Sequence, residues 1–159
     1  MRLDEPANHS ISADGLRIGV VTATFNEAIT SGLKKGALEI LEESDATEVI
    51  IADVPGAFEL PLMAQRLALQ GCDAIVCLGA VVEGDTDHYE HVAHRASEGL
   101  MRVQLDTGIP VSFGVLTTRD VAAAIARSQP GPDNKGREAA LAAILMAREL
   151  RDLESPSTS

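Results

Sequence analysis

The stretch from Leu78 to Val92 reads Leu-Gly-Ala-Val-Val-Glu-Gly-Asp-Thr-Asp-His-Tyr-Glu-His-Val, and its reading decides how the rest of the chain is organised. The residues before it, Ala74, Ile75, Val76 and Cys77, run into Leu78 without a polar break. Such a run has the pattern of a strand covered on both faces, as strands of a parallel sheet are. Gly79 and Gly84 break the pattern, and Val92, Ala96, Gly99, Leu100 and Val103 then recur at helical spacing. Strand, turn and helix in that order predict that backbone N–H groups and the His88 imidazole meet at the carboxyl end of a strand. Open α/β sheets bind their ligands there.

The same grammar repeats on both sides. Leu16 to Ala23 is a β-branched run, followed by Thr24-Phe25-Asn26 and a helix with an apolar face of Ile29, Leu33, Ala37, Ile40 and Leu41. Val49 to Val54 is a second strand, ended by Pro55-Gly56-Ala57-Phe58-Glu59, with a short helix through Leu62, Ala64, Leu67 and Ala68 that stops at Gly71. Downstream, Thr107-Gly108-Ile109-Pro110 announces a fourth strand, Val111 to Leu116, which ends in Thr117-Thr118. A short helix reaches Arg127, the loop from Gln129 to Asp133 holds two prolines and cannot be helical, and a last helix runs from about Asn134 to Leu153. About four parallel strands with helices on both faces follow, a flavodoxin-like α/β three-layer sandwich. Residues 1–159 read as one domain, with 1–14 as a polar arm, loose or docked on a neighbour, and 155–159 as a frayed tail.

The chain is long enough to bury roughly 70% of its unfolded surface and so to hold its own core. Its formal net charge of -11 argues against nucleic acid or an anionic membrane as the main partner. No run approaches the ~20 apolar residues of a membrane span, and the first residues lack a signal-peptide pattern, so a cytoplasmic location is expected. Cys72 and Cys77 lie before and inside one strand, where an odd separation points side chains to opposite faces, so two reduced thiols are expected. The last helix, apolar nearly all round from Ala139 to Ala147, calls for a second subunit against one face.

The candidate chemistry gathers in the turns. Phe25 and Phe58, two of only three phenylalanines, fall just after strands, where rings can stack on a flat ligand, and Phe113 could add a third face. Each ring alone could equally pack under a loop. At a helix N-terminus the macrodipole disfavours an imidazolium, so His88 is expected to accept a proton. The N–H groups of Asp85 and Thr86 and the Thr86 hydroxyl could hold a phosphate or carbonyl oxygen. Glu83, Asp85 and Asp87 oppose this, so a phosphate would need a cation from elsewhere. Arg127 and Lys135, which flank the Pro/Gly loop, are the candidates, unless they are simply solvated helix ends. His88, His91 and His94 step about 60° short of a full turn each time, and no metal site is expected. Thr22-Ala23-Thr24 lacks the glycines of a phosphate cradle, and neither a dinucleotide fingerprint nor a Walker sequence is present.

Taken together, Phe25-Asn26, the block Val54 to Pro61, Gly84-Asp85-Thr86-Asp87-His88-Tyr89, Gly114 to Thr118 and Asn134-Lys135-Gly136 closely resemble the 6,7-dimethyl-8-ribityllumazine synthase family over about Leu16 to Leu150. The resemblance implies condensation of 5-amino-6-(D-ribitylamino)uracil with 3,4-dihydroxy-2-butanone 4-phosphate in riboflavin biosynthesis, releasing phosphate and water, with no cofactor or metal. By position it implies that Phe25 stacks on the pyrimidine, that Ala57, Phe58 and Glu59 hold its edge and the ribityl chain, and that Ala80, Val81 and Val82 line the pocket. It also implies that Asp85 and Thr86 meet the phosphate, that His88 shuttles protons, and that Arg127 with Lys135 binds the phosphate. Phe113 would close the pocket from the next subunit of a ring of five. Such rings either stay separate or build a larger shell, which the arm around Pro6 and the loop before Asn134 would decide.

Three residues depart from the family pattern: Thr24 where an arginine often stands, Glu83 where a basic residue is usual, and Asp85 where a small or neutral one is frequent. Each makes the phosphate region more negative. A carrier of lumazine or flavin, or a shell-forming paralogue with weak turnover, is therefore the alternative. His88 and Arg127 speak against it. The archaeal-type riboflavin synthase is disfavoured by the Pro-Gly-Ala-Phe-Glu block and Arg127.

Overall fold

A computed structural model describes residues 11–154. Its strands are β1 (Arg17–Ala23), β2 (Glu48–Val54), β3 (Ala74–Val82) and β4 (Val111–Thr118), and its helices are α1 (Glu27–Glu43), α2 (Leu60–Leu69), α3 (His88–Thr107), α4 (Val121–Ser128) and α5 (Lys135–Glu154). A single 3₁₀ turn, Ala57–Glu59, precedes α2. The strands form one sheet in the order β2-β1-β3-β4, with every pair parallel. The chain steps outward from β1 to β2, then returns across β1 to β3, so the direction of winding switches between β1 and β3.

Strand alternation sorts the core into two layers. Ile18, Val20, Val76 and Leu78 face α1, α4 and α5, where Leu33, Ala37, Ala124, Ala140 and Ile144 are buried. Val21, Ile75, Cys77 and Val81 face α2 and α3, where Leu60, Leu67, Ala96 and Leu100 are buried. The flavodoxin-like three-layer reading therefore holds. Small residues set the layer spacing: a Cβ on Gly136 of α5 would stand 1.9 Å from the Leu33 carbonyl oxygen of α1, so the two helices meet backbone to backbone. The Asn134 side chain locks the entry to α5 by donating to the carbonyls of Gly32, Ser128 and Gln129 and accepting from the N–H groups of Gly136 and Arg137.

Four readings are corrected. The third strand does not end at Leu78: it continues through Gly79 to Val82, because a glycine facing the α2 layer fits beside Ala23, Ala57 and Leu60 at ordinary contact distance. Leu62 is exposed, since α2 turns Leu60, Ala64, Leu67 and Ala68 to the sheet instead. The end of the polar arm, 11–14, is docked on its own chain: Ala13 is buried and bonds the Ser44 carbonyl, and Arg148 of α5 donates to the carbonyls of Ser12 and Asp14. Residues 1–10, with Pro6, and the tail 155–159 lie outside the described residues. Finally, Cys72 and Cys77 lie in the same α2/α3 layer, because Cys72 precedes the strand and escapes its alternation.

Both cysteines are free and buried. Burial pushes both thiols up from their ordinary range, with Arg17 partly opposing the shift at Cys72. Folded thiols that keep their protons longer than unfolded ones make stability fall as pH rises above about 8.5. Native protein at pH 8 is therefore expected to leave both thiols unreacted with a chromogenic disulfide reagent over minutes, and to release both on unfolding. Rapid native labelling of either thiol would contradict the packing.

Candidate active site

Parallel strands put four turns on one edge of the sheet. After β1 come Thr24, Phe25 and Asn26, and after β2 come Pro55 and Gly56 with the 3₁₀ turn; after β3 the segment 83–87 leads into α3, and after β4 Arg119 and Asp120 lead into α4. The winding switch lies between the first and third of these turns, the position at which open α/β sheets form a crevice.

Two of the turns are sewn together by backbone. Thr24 N–H donates to the Val54 carbonyl and Phe25 N–H to the Pro55 carbonyl, each at 2.8 Å. The Phe25 ring lies over Gly56, where a Cβ would come within 2.8 Å of Cδ2 and 3.0 Å of Cε2, and the Glu59 carboxylate borders the same position. Phe25 is nevertheless 64% exposed and Phe58 63% exposed, so neither is a core residue. An exposed ring on a glycine beside a carboxylate has the shape and polarity to receive a flat, hydrogen-bonding ligand. Ala57 is buried in the 3₁₀ turn, and Ala80, Val81 and Val82 form the carboxyl end of β3, with Ala80 and Val82 on the α1 and α5 face and Val81 on the α2 and α3 face.

His88 is the first residue of α3 and is exposed. Tyr89 and Val92 anchor that end of α3 on the layer that contains Ala57 and Val81. The Thr86 hydroxyl accepts from His88 N–H at 3.3 Å, which leaves its own hydrogen free to donate outward. Asp85 and Thr86 are exposed in the same turn. Among the described residues, no three His, Cys, Asp or Glu side chains gather as a metal group; His91 instead approaches Asp87, with Nε2 3.6 Å from Oδ2.

The remaining candidates stand elsewhere in the protomer. Phe113 pairs with Cys77 in the amino-terminal half of the β3–β4 ladder, not at the carboxyl edge. It shares with Lys135 an open cavity of about 310 Å³ between β4 and α5, lined also by Pro110, Ala139, Ala142 and Met146. This cavity is lined from the opposite half of the strand, so one protomer does not bring Phe113 and Phe25 together. Lys135 pairs with Glu138 at 3.2 Å, and Arg127 is exposed in the last turn of α4.

Two contributors escaped sequence reasoning. Arg119 approaches Glu83, with Nε 3.9 Å from Oε2, while Glu83 N–H bonds the Thr118 carbonyl. Only the β3–β4 register, with Val82 opposite Thr118, reveals that pairing. Gly56 is the other, and its role is visible only once the Phe25 ring is seen above it.

A family model described as 6,7-dimethyl-8-ribityllumazine synthase matches residues 15–151. The chain belongs to the lumazine synthase family. The matched span takes in every strand and every helix but the last residues of α5, and so includes all the lumazine synthase candidates from Phe25 to Lys135. Membership supports a transferase of riboflavin biosynthesis.

If the platform works as this geometry suggests, Gly56→Ala should tilt the exposed Phe25 ring aside without unfolding the chain. The expected result is a Tm within a few degrees of the parent and a KM for the ribitylaminopyrimidine raised about tenfold. An unchanged KM would contradict the stacking role.

Proposed function

We propose that the protein is a 6,7-dimethyl-8-ribityllumazine synthase, condensing 5-amino-6-(D-ribitylamino)uracil with 3,4-dihydroxy-2-butanone 4-phosphate without cofactor or metal. The observation that carries this reading is the family match over residues 15–151, combined with an exposed ring seated on Gly56 beside Glu59. Phe25 stacks on the pyrimidine, Phe58 and Glu59 with the Ala57 backbone hold its edge and the ribityl chain, and Ala80 to Val82 line the pocket. His88 takes the proton that the attacking amine loses and returns it to a departing oxygen. The N–H groups of Asp85 and Thr86, with the Thr86 hydroxyl, meet the phosphate.

Arg127 and Lys135 supply the charge that binds the phosphate and lets it leave. They and Phe113 come from a neighbouring subunit, which is why the ring of five is part of the reading. Support for an assembly comes from α5: with Ala139, Ala140, Ala143 and Ile144 buried against the sheet and α1, its Ala142, Leu145 and Met146 remain exposed, and Ala142 and Met146 line the Phe113 cavity. The chain acts as one domain, in the cytoplasm; no helix among the described residues is long and apolar enough to cross a membrane.

Purified protein mixed with both substrates should form lumazine, read by its absorbance, well above the uncatalysed condensation. His88→Ala should lower kcat. Because Glu83, Asp85 and Asp87 make the turn acidic, Arg127→Ala is expected to raise the KM of the butanone phosphate about tenfold or more while the pyrimidine KM moves little. Product no faster than the uncatalysed background, with pyrimidine still bound, would replace the synthase by a carrier or shell protein. Equal rises in both KM values would remove Arg127 from phosphate binding.

A further inference from the structure

Asn26 occupies the N-cap of α1 but makes no side-chain capping bond there. A cap asparagine ordinarily accepts from the N–H groups of the first helical turn. Here the Asn26 backbone carbonyl receives Ile29 N–H at 2.8 Å and Thr30 N–H at 3.0 Å, while the side chain turns away and donates from Nδ2 to the Ala80 carbonyl at 2.9 Å. The backbone is left-handed, φ 65 and ψ 47, a conformation that asparagine tolerates better than most residues with a side chain.

The need for this bond follows from strand lengths. β1 pairs with β3 from Ile18 opposite Ala74 to Thr22 opposite Leu78, and β1 ends at Ala23 while β3 continues to Val82. The β3 backbone beyond that point has no β1 ladder to receive it, and a carbonyl without a partner is costly. The Asn26 amide takes the place of the missing strand. It crosses the gap at the winding switch, and it does so from the residue next to Phe25, whose own N–H is held by Pro55.

We propose that Asn26 is a positioning residue for the pyrimidine subsite: its left-handed backbone presents the Phe25 ring, and its amide fixes the distance from that ring to the Ala80 backbone at the end of β3. The width of the slot between them selects a flat ring. This rests on the reading of the site as a lumazine synthase site, and it adds a residue whose side chain acts on geometry, not on substrate.

Three variants separate the two parts of the role. Asn26→Gly keeps the left-handed backbone and removes the tie. Asn26→Asp keeps the shape and replaces the donor by a carboxylate facing a carbonyl. Asn26→Ala removes the tie and also strains the backbone. Steady-state kinetics with each substrate varied, calorimetric titration with the ribitylaminopyrimidine alone, and Tm would be measured on all three and on the parent.

The expected result for Asn26→Gly and Asn26→Asp is a pyrimidine KM and Kd raised about tenfold, with kcat and the butanone phosphate KM within about threefold of the parent. Asn26→Gly should lower Tm by a few degrees, because the Ala80 carbonyl loses its partner, and Asn26→Ala should lower it further. A parent-like pyrimidine KM and Kd in Asn26→Gly, or equal rises in both KM values, would overturn the proposal while leaving the synthase reading intact. A parent that neither binds the pyrimidine nor forms product would remove the synthase reading first, and the proposal with it.

Discussion

The parallel pairing of β1 with β3 sets where every other element of the fold must go. Both strands are central, so both need apolar side chains on each face, and the chain supplies them as Ile18, Val20 and Val21 in one and as Ala74 to Leu78 in the other. Because the two are parallel, each connection must cross a face of the sheet, and every turn after a strand opens on the same edge. Because the winding reverses between them, the helices that follow them, α1 and α3, run to opposite faces of the sheet. The exposed Phe25 and the first turn of α3 lie along that edge as a consequence of topology, before any chemistry is considered.

Charge at this edge is arranged against the phosphate reading on first inspection and not on second. Glu83, Asp85 and Asp87 follow β3 within five residues, yet Glu83 has Arg119 beside it and Asp87 has His91. Both pairs are exposed, so each is worth little to stability and is easily exchanged for a stronger partner. A dianionic phosphate arriving with the proposed arginine and lysine would meet a turn in which Glu83 has an arginine beside it.

Much of this was legible in the sequence, and the exceptions have physical causes. The strands in their order of appearance and the helices could be read from periodicity, because burial on two faces leaves a long apolar run and burial on one leaves a helical stripe. Gly79 misled because glycine ends strands more often than it continues them, and nothing local announces that Ala57 and Leu60 will pack beside it. Cys72 misled because the alternation rule applies only inside a strand. The candidate site was legible as a set of turns, yet the partners that shape it, Gly56 under Phe25 and Arg119 beside Glu83, are separated by tens of residues and meet only through register. Asn26 was visible as part of a motif, but that its side chain reaches Ala80 follows from β3 being longer than β1, which no local pattern encodes.

Within one protomer the Phe25 and His88 edge and the Phe113 and Lys135 cavity lie on different parts of the sheet, so the proposed site needs two protomers. Co-expression of His88→Ala chains with Arg127→Ala chains, followed by assay of the purified mixed assembly, tests that claim most directly. Each variant alone should be nearly inactive at low butanone phosphate, and random mixing around a ring should restore roughly a quarter of the parent rate, since that share of sites draws both intact residues from different chains. A mixed assembly no more active than the two variants measured apart would contradict the shared site.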